Sequence, residues 1–411
     1  MRAFKKIIPP HYFCGLDLGT HSLKASLVRA EDAEHLELLG VFEQKTSGLK
    51  DAAVTDLGEF AECVRQTLEG LNKMTAVQVK CVHCGIGGDL VSVRPSQSII
   101  PLVDNGNKII NGLDVRRVRQ QARILGIQLE EEIIQDFPQH FKIDEQHTAF
   151  NPVGLFGRKL EGRLLLIVSH LLRTRNLTRA IHQAGYDTAS LSYSSGAAGQ
   201  VVFDNPTRVS GALLMDIGSR TSHLLFYQDG LLKDVGIIPW GGENLTRRLA
   251  EHLGVTADLA EEIKKSHARA FGAEEQGEEE LLVKKENGYI PIKRSAVIEA
   301  VEGQVQVFLE AVAQTLKGNG WVQQLNQGIV MIGGGSLVPG LMERLESTTQ
   351  LPVKAGTLTK GLKNAGIFAA SVGLAQMNFR KNDMLSAAVD SPRHWSSTLV
   401  NKMREVYQEY F

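Results

Sequence analysis

Cysteine is scarce in this chain, and Cys14, Cys63, Cys81 and Cys84 follow no regular spacing. A structural zinc site needs about four ligands, and the one close pair, "CVHC" around His83, has no second pair to complete it. The flanking "VQVKCVHCGIGG" has instead the composition of a β-strand, which places Cys81 and Cys84 on opposite faces. Long apolar runs are missing, and none approaches the ~20 residues needed to cross a bilayer. A basic stripe is also missing: 45 Lys+Arg stand against 46 Asp+Glu, for a formal net charge of −1. That excludes the phosphate neutralisation on which nucleic-acid binding depends. The opening "MRAFKKIIPPHYFC" has early cations but too few apolar residues before its proline pair to read as a signal peptide. Phe13 before Cys14 is wrong for lipoprotein cleavage, so a cytoplasmic chain is expected.

What is present is ordinary globular composition, 43% hydrophobic and 22% charged, over 411 residues. That length predicts more than one core. Strand-like runs such as "YFCGLDLG", "GALLMDIG" and "GIVMIGGG" alternate with helical patterns, which indicates an α/β protein. The longest pattern, "RSAVIEAVEGQVQVFLEAVAQTLKGNG", has Val297, Val301, Val305, Phe308, Val312 and Leu316 at helical spacing and a stop at Gly318. Residues 93–160, built around "GLDVRRVRQQARILG", depart from the alternation and read as an inserted small α+β unit. Residues 244–319 form a helix-rich section whose "GAEEQGEEE" run reads as a solvated loop.

Two stretches share one design. "FCGLDLGTHSLKASLV" and "LLMDIGSRTSHLLFY" each run from a strand through Asp, Gly and hydroxyls into a second strand. Such a hairpin turn offers backbone N–H groups to a phosphate, with glycine allowing close approach. An Asp at the strand end, Asp17 in one copy and Asp216 in the other, can hold Mg²⁺ through water. Two hairpins facing each other would grip a triphosphate from both sides. A third element, "GIVMIGGGSLVPGLMERL", sets Gly333, Gly334 and Gly335 between strand and helix, where a base or ribose could lie on bare backbone.

In order and content these three motifs resemble those of the actin/Hsp70/sugar-kinase superfamily, and within it the chain resembles FtsA, the actin-like division proteins. "NPVGLFGRKLEGRLLLIVSH", "DGLLKDVGIIPWGGENLTRRLAEHLGVTADLAEEIKKSH", "GGGSLVPGL" and "GIFAASVGLAQ" carry that likeness along nearly the whole chain. The resemblance implies a two-lobed, duplicated ribonuclease H-like fold. Its first lobe spans 8–92 and 161–206, interrupted by an inserted subdomain at 93–160 used in filament contacts. The second lobe spans 207–243 and continues in 320–384, a stretch that also returns to the first lobe, and is interrupted by a subdomain at 244–319 that docks the FtsZ tail. A linker at 385–394 and an amphipathic membrane-targeting helix at 395–411 complete the chain.

Carried over residue by residue, Asp17, Gly19, Thr20 and Lys24 fall on the first phosphate loop, and Asp216, Gly218, Ser219, Arg220 and Thr221 on the second. Gly241 and Gly242 fall beside the ribose, Lys264 beside the base, and Gly333 to Gly335 on the adenosine motif. ATP and Mg²⁺ are the implied cofactors, with at most weak ATPase activity, since no catalytic base emerges. Implied partners are FtsZ, further copies of the chain, other divisome proteins and the inner face of the cytoplasmic membrane at the division site. The chain departs from the family at Ser219-Arg220, where "DIGGGT" is usual. A positive φ at either position would cost a non-glycine residue about 1 kcal/mol or more, whereas a guanidinium there could reach the γ-phosphate.

A same-fold alternative is a PilM-like pilus-assembly protein, and an alternative of a different class is a small-molecule kinase. A kinase needs an Asp base, and the Asp104 and Asp114 region belongs to the inserted unit. An Hsp70-type chaperone would need a β-domain after residue 380, for which too little chain remains. For the FtsZ tail, "YIPIKRSAVIEA" offers Lys293 and Arg294 beside Ile292 and Val297. For the membrane, Trp395, Leu399, Met403, Val406, Tyr407 and Tyr410 share one face at helical spacing, with Lys402 and Arg404 flanking it to reach lipid headgroups.

Overall fold

The computed structural model describes residues 11–31, 36–50, 53–103, 106–272, 280–285, 288–358 and 365–377. Two five-stranded sheets within it share one strand order. In the first, His11–Leu18 is central. It pairs antiparallel with Ser22–Ala30, which pairs antiparallel with Leu36–Lys45. On its other edge Cys81–Ile86 and then Asp187–Tyr193 run parallel. In the second sheet Ala212–Ile217 takes the central place. Ser222–Gln228 and Leu231–Ile238 lie antiparallel on one side, Ile329–Ile332 and Val353–Ala355 parallel on the other. The same order with the same strand directions makes the chain a duplicated α/β unit.

Each parallel step needs a crossover, and helices with clear terminal signals supply them. Leu57–Thr75 starts where the Asp56 carboxylate accepts from the Glu59 amide at 2.8 Å and stops at Ala76, in left-handed conformation at φ 55°. Its buried face carries Phe60, Val64, Leu68 and Leu71, spaced three or four apart. In the strand between the crossovers, Cys81 is exposed and Cys84 buried, as strand alternation requires.

Each half also carries an insertion. Between Cys81–Ile86 and Asp187–Tyr193 lies an antiparallel sheet ordered His147–Ala149, Glu131–Ile143, Lys159–His170, Ser92–Pro101. Its last strand runs past residue 160 to His170. Helix Gly112–Leu125 packs on it and begins in a capping box, in which Asn111 accepts from the Asp114 amide and Asp114 from the Asn111 amide. Asp114, which also binds Lys108 at 2.8 Å, is therefore a helix cap. The second half inserts helices Gly242–Leu253 and Ala257–His267, the hairpin Glu280–Lys285 with Gly288–Lys293, and helix Arg294–Gly318. All six apolar residues of that last helix's stripe are buried, and Phe308 stacks on Trp240 with ring centroids 4.2 Å apart.

A helix over 369–377 returns to the first lobe. It crosses so closely that a Cβ on Gly15 would stand 1.9 Å from the Ser371 carbonyl oxygen, and the Ser26 and Ser371 hydroxyls meet at 2.5 Å. Small residues in "ASVGLA" are what this approach demands. No described helix is long and apolar enough to span a membrane. Residues 385–411, with Trp395, Leu399, Met403, Val406, Tyr407 and Tyr410, lie outside the described residues, as does Asp104.

Candidate functional site

The central hairpins of the two sheets open into one cavity of about 410 Å³. In the first hairpin Leu18 pairs with Leu23, leaving Gly19 to Ser22 to make the turn. A Cβ on Gly19 would meet the Ser22 carbonyl at 2.5 Å, so only glycine closes this turn. In the second hairpin Ile217 pairs with Ser222, and the Gly218 amide donates to the Thr221 carbonyl at 3.0 Å. The start of helix Gly242–Leu253 is bonded onto that turn: the Gly242 amide donates to Gly218 O at 3.0 Å and the Glu243 amide to Ser219 O at 2.7 Å. A Cβ on Gly241 would fall 2.5 Å from the Ser219 carbonyl, which explains the glycine there. Neither Ser219 nor Arg220 has positive φ. The Ser-Arg departure is therefore free of backbone strain.

The third element closes the cavity from the side. Gly333, at φ 84°, follows strand Ile329–Ile332, and a Cβ there would strike the Ile217 carbonyl at 2.4 Å. Gly335 is equally close to the Ile217 side chain, at 2.2 Å, whereas Gly334 has nothing within 4 Å of its absent Cβ. Gly334 is thus bare backbone facing open space, the surface a flat ligand group needs. Every residue expected from the sequence around the cleft lines this cavity except Gly241, which sits behind the second turn.

Two carboxylates form the floor. Asp17 Oδ1 accepts from Ser194 Oγ at 2.6 Å, and Asp216 Oδ2 accepts from Ser195 Oγ at 2.7 Å. Burial raises the Asp17 carboxyl above its usual range against the opposing pull of Lys24 and Ser194. Burial also pushes Asp216 up to about 6, with the neighbouring Asp17 charge adding to it and Ser195 opposing. Lys24 stands opposite Asp17 in the hairpin register and 3.8 Å from Glu43. Lys264 donates to Gly242 O at 3.1 Å, Thr246 Oγ1 at 2.8 Å and Glu261 Oε2 at 2.5 Å. Burial alone would raise Glu261, but Lys264 and Thr246 hold it below the usual carboxylate range.

Sequence reasoning missed Ser194 and Ser195, the first residues of the small-residue helix Ser194–Val202. It also missed His223, buried behind Thr221. Its Nδ1 is 2.7 Å from the Tyr193 hydroxyl and its Nε2 3.3 Å from Thr221 Oγ1. Burial lowers this imidazole to about 4, so it is neutral and fixes the Thr221 hydroxyl rather than carrying charge. Asp89 too lines the cavity and binds Arg220. The expected apolar partners of Lys293 do not reach the surface: Ile292 and Val297 are 7% and 0% exposed, within the core. Alternation in strand Gly288–Lys293 turns Ile292 inward and Tyr289 outward. Tyr289 is 67% exposed, and Leu282, opposite Pro291 on the paired strand, is 71% exposed. Lys293 is exposed and Arg294 half-buried.

The fold has known counterparts. The PilM chain of a PilM–PilN type IV pilus biogenesis complex superposes with TM-score 0.65 at 15% identity, covering 89% of this chain and 98% of that one. MreB5 of Spiroplasma citri, solved with AMPPNP, gives 0.52 at 12% identity, over 92% and 99%. At such identities the likeness establishes an actin-like fold alone. Sequence families go further. The model described as "Cell division protein FtsA" matches residues 213–373, and that of the "SHS2 domain inserted in FTSA" matches 88–168, together more than half of the chain. The chain belongs to the FtsA family. Relatives named cell division protein FtsA include those of Pseudomonas aeruginosa, 24% identical over 93% of both chains, and Bacillus subtilis, 26% identical over 84% of this chain and 78% of the relative. The FtsA of Escherichia coli K12 is 25% identical over 83% of each. Pilus-assembly PilM shares the architecture without this sequence likeness, so the chain is an actin-like cell division protein carrying an inserted SHS2 domain.

Proposed function

We propose that this FtsA-family protein binds Mg·ATP in the interlobe cleft and uses it to control assembly into membrane-attached filaments that hold FtsZ at the division site. The observation that carries the reading is the pairing of equivalent hairpins across one cavity, with Asp17 and Asp216 at its floor and Gly334 bare at its side. Two turns rich in amide and hydroxyl donors suit a phosphate chain, and Gly334 suits an adenosine. Among the described residues no three His, Cys, Asp or Glu side chains gather as a metal cluster. Mg²⁺ would accordingly take most of its ligands from phosphates and water, with Asp17 and Asp216 reaching it through water, its usual preference. The metal would supply charge neutralisation for the phosphates. Lys264 and Glu261 form a fixed pair beside Gly242, placed to define the ribose and base side of the cavity.

Calorimetric titration with ATP and Mg²⁺ tests this. Gly334→Glu, whose Cβ would meet no protein atom within 4 Å, should abolish binding while leaving the melting temperature of the free protein unchanged. Wild-type affinity in that variant would place the nucleotide elsewhere.

A further inference from the structure

We propose that Arg220 reads the terminal phosphate of a bound triphosphate, and that Asp89 competes for the same guanidinium when the phosphate is absent. The proposal rests on the nucleotide reading of the cleft and adds the residue that would tell ATP from ADP. Arg220 belongs to the second hairpin turn and lines the cavity with Thr221 and Gly88. Its Nε donates to Asp89 Oδ2 at 2.9 Å, and Nη1 lies 4.0 Å from Glu243 Oε2.

Asp89 comes from a different part of the chain, the short turn Gly88–Leu90 that leads into the first strand of the inserted sheet. That turn approaches the second hairpin closely: Gly88 adopts φ 59°, and a Cβ on it would lie 3.4 Å from Thr221 Oγ1. The turn backbone beneath Arg220 is pinned by the hydrogen bonds from Gly242 and Glu243, so only the side chain is left to respond to a ligand.

Charge decides the direction of the response. Both members of the Arg220–Asp89 pair are about one-third exposed, at 33% and 35%, and such pairs are weak. A terminal phosphate carries more negative charge than a carboxylate and offers three oxygens to the planar guanidinium fork. A diphosphate ends short of that position. The carboxylate therefore lowers apparent triphosphate affinity by the fraction of molecules in which it holds the arginine. It also links occupancy of the cleft to the root of the inserted sheet.

The test compares a non-hydrolysable ATP analogue with ADP, both with Mg²⁺, by calorimetry at fixed ionic strength. Arg220→Gly should reduce the preference for the analogue about tenfold, the value of a charge-assisted contact. Arg220→Lys, which keeps the charge and loses the fork, should fall between. Asp89→Asn should raise the preference about two- to fivefold, the equivalent of an exposed ion pair, and should add nothing in an Arg220→Gly background. An unchanged analogue-to-ADP ratio in Arg220→Gly overturns the proposal while leaving nucleotide binding intact. A reduced ratio in Asp89→Asn makes Asp89 part of the phosphate site and overturns the competition. Absence of any nucleotide binding in the wild type overturns the reading of the cleft and this proposal with it.

Discussion

Asp17 and Asp216 occupy corresponding strands of two separate sheets, yet each carboxylate accepts a hydrogen bond from one of two consecutive serines, Ser194 and Ser195. One turn of chain thus fixes the spacing of the two acids across the cleft. Both acids are half-buried at the cleft, and loss of solvent raises both carboxyls above the range of an exposed aspartate. Taking two neighbouring carboxylates partly out of water costs the free protein stability.

That cost has a sign. For Asp216, raised to about 6 in the folded chain, the unfolded state ionises first. Its contribution to stability is fully present below the unfolded value near 4 and is lost as pH rises through 6. Asp216→Asn, which keeps an oxygen for Ser195 and cannot ionise, should therefore stabilise the nucleotide-free protein at pH 7.5, by on the order of 2 kcal/mol. The gain should vanish near pH 4. Thermal melts across that range measure it directly, and a gain independent of pH would remove ionisation as its cause. With Mg·ATP present the variant should lose its advantage, because the nucleotide complex uses the charge.

Much of this cleft is legible in the amino-acid order because its parts are local. A strand, an Asp, a Gly and hydroxyls within a few residues announce a hairpin turn, and two copies announce a duplicated fold. Ser194 and Ser195 give no such signal: "SYSSGAAG" becomes meaningful only when the sheets bring Asp17 and Asp216 to it. Arg220 was visible as a departure, but its partner Asp89 lies 131 residues away. The surface of the second insertion was misjudged for a different reason. Ile292 and Val297 flank Lys293 in sequence, yet strand alternation and the helical stripe send both into the core.

That correction sharpens the expectation for the FtsZ tail. The outward face of the hairpin Glu280–Lys285 with Gly288–Lys293 presents Leu282 and Tyr289, with Pro291 and Lys293 beside them. A short acidic and apolar tail needs an apolar anchor next to a cation. Tyr289→Ala combined with Lys293→Glu should weaken binding of an FtsZ tail peptide about tenfold or more, by fluorescence anisotropy, without altering ATP affinity. Arg294→Glu should add less, because Arg294 is half-buried and opens the helix Arg294–Gly318. Undiminished peptide binding in the double variant would move the docking surface off this hairpin.

Attachment to the membrane is expected from the last residues. Trp395, Leu399, Met403, Val406, Tyr407 and Tyr410 recur at helical spacing, with aromatic residues at both ends of the stretch and Lys402 and Arg404 at its margin. Glu405 and Glu409 temper the attraction to anionic lipid, so a single copy should bind weakly and reversibly. Filaments change that balance, because many weak anchors on one polymer act as one strong anchor. Deleting residues 395–411 should therefore abolish co-sedimentation with anionic liposomes and leave the melting temperature where it was. In the intact chain, liposome binding should rise with ATP and protein concentration together, following assembly. Loss of several degrees of thermal stability on deletion, with no lipid binding by the intact chain, would instead make this segment part of the folded core.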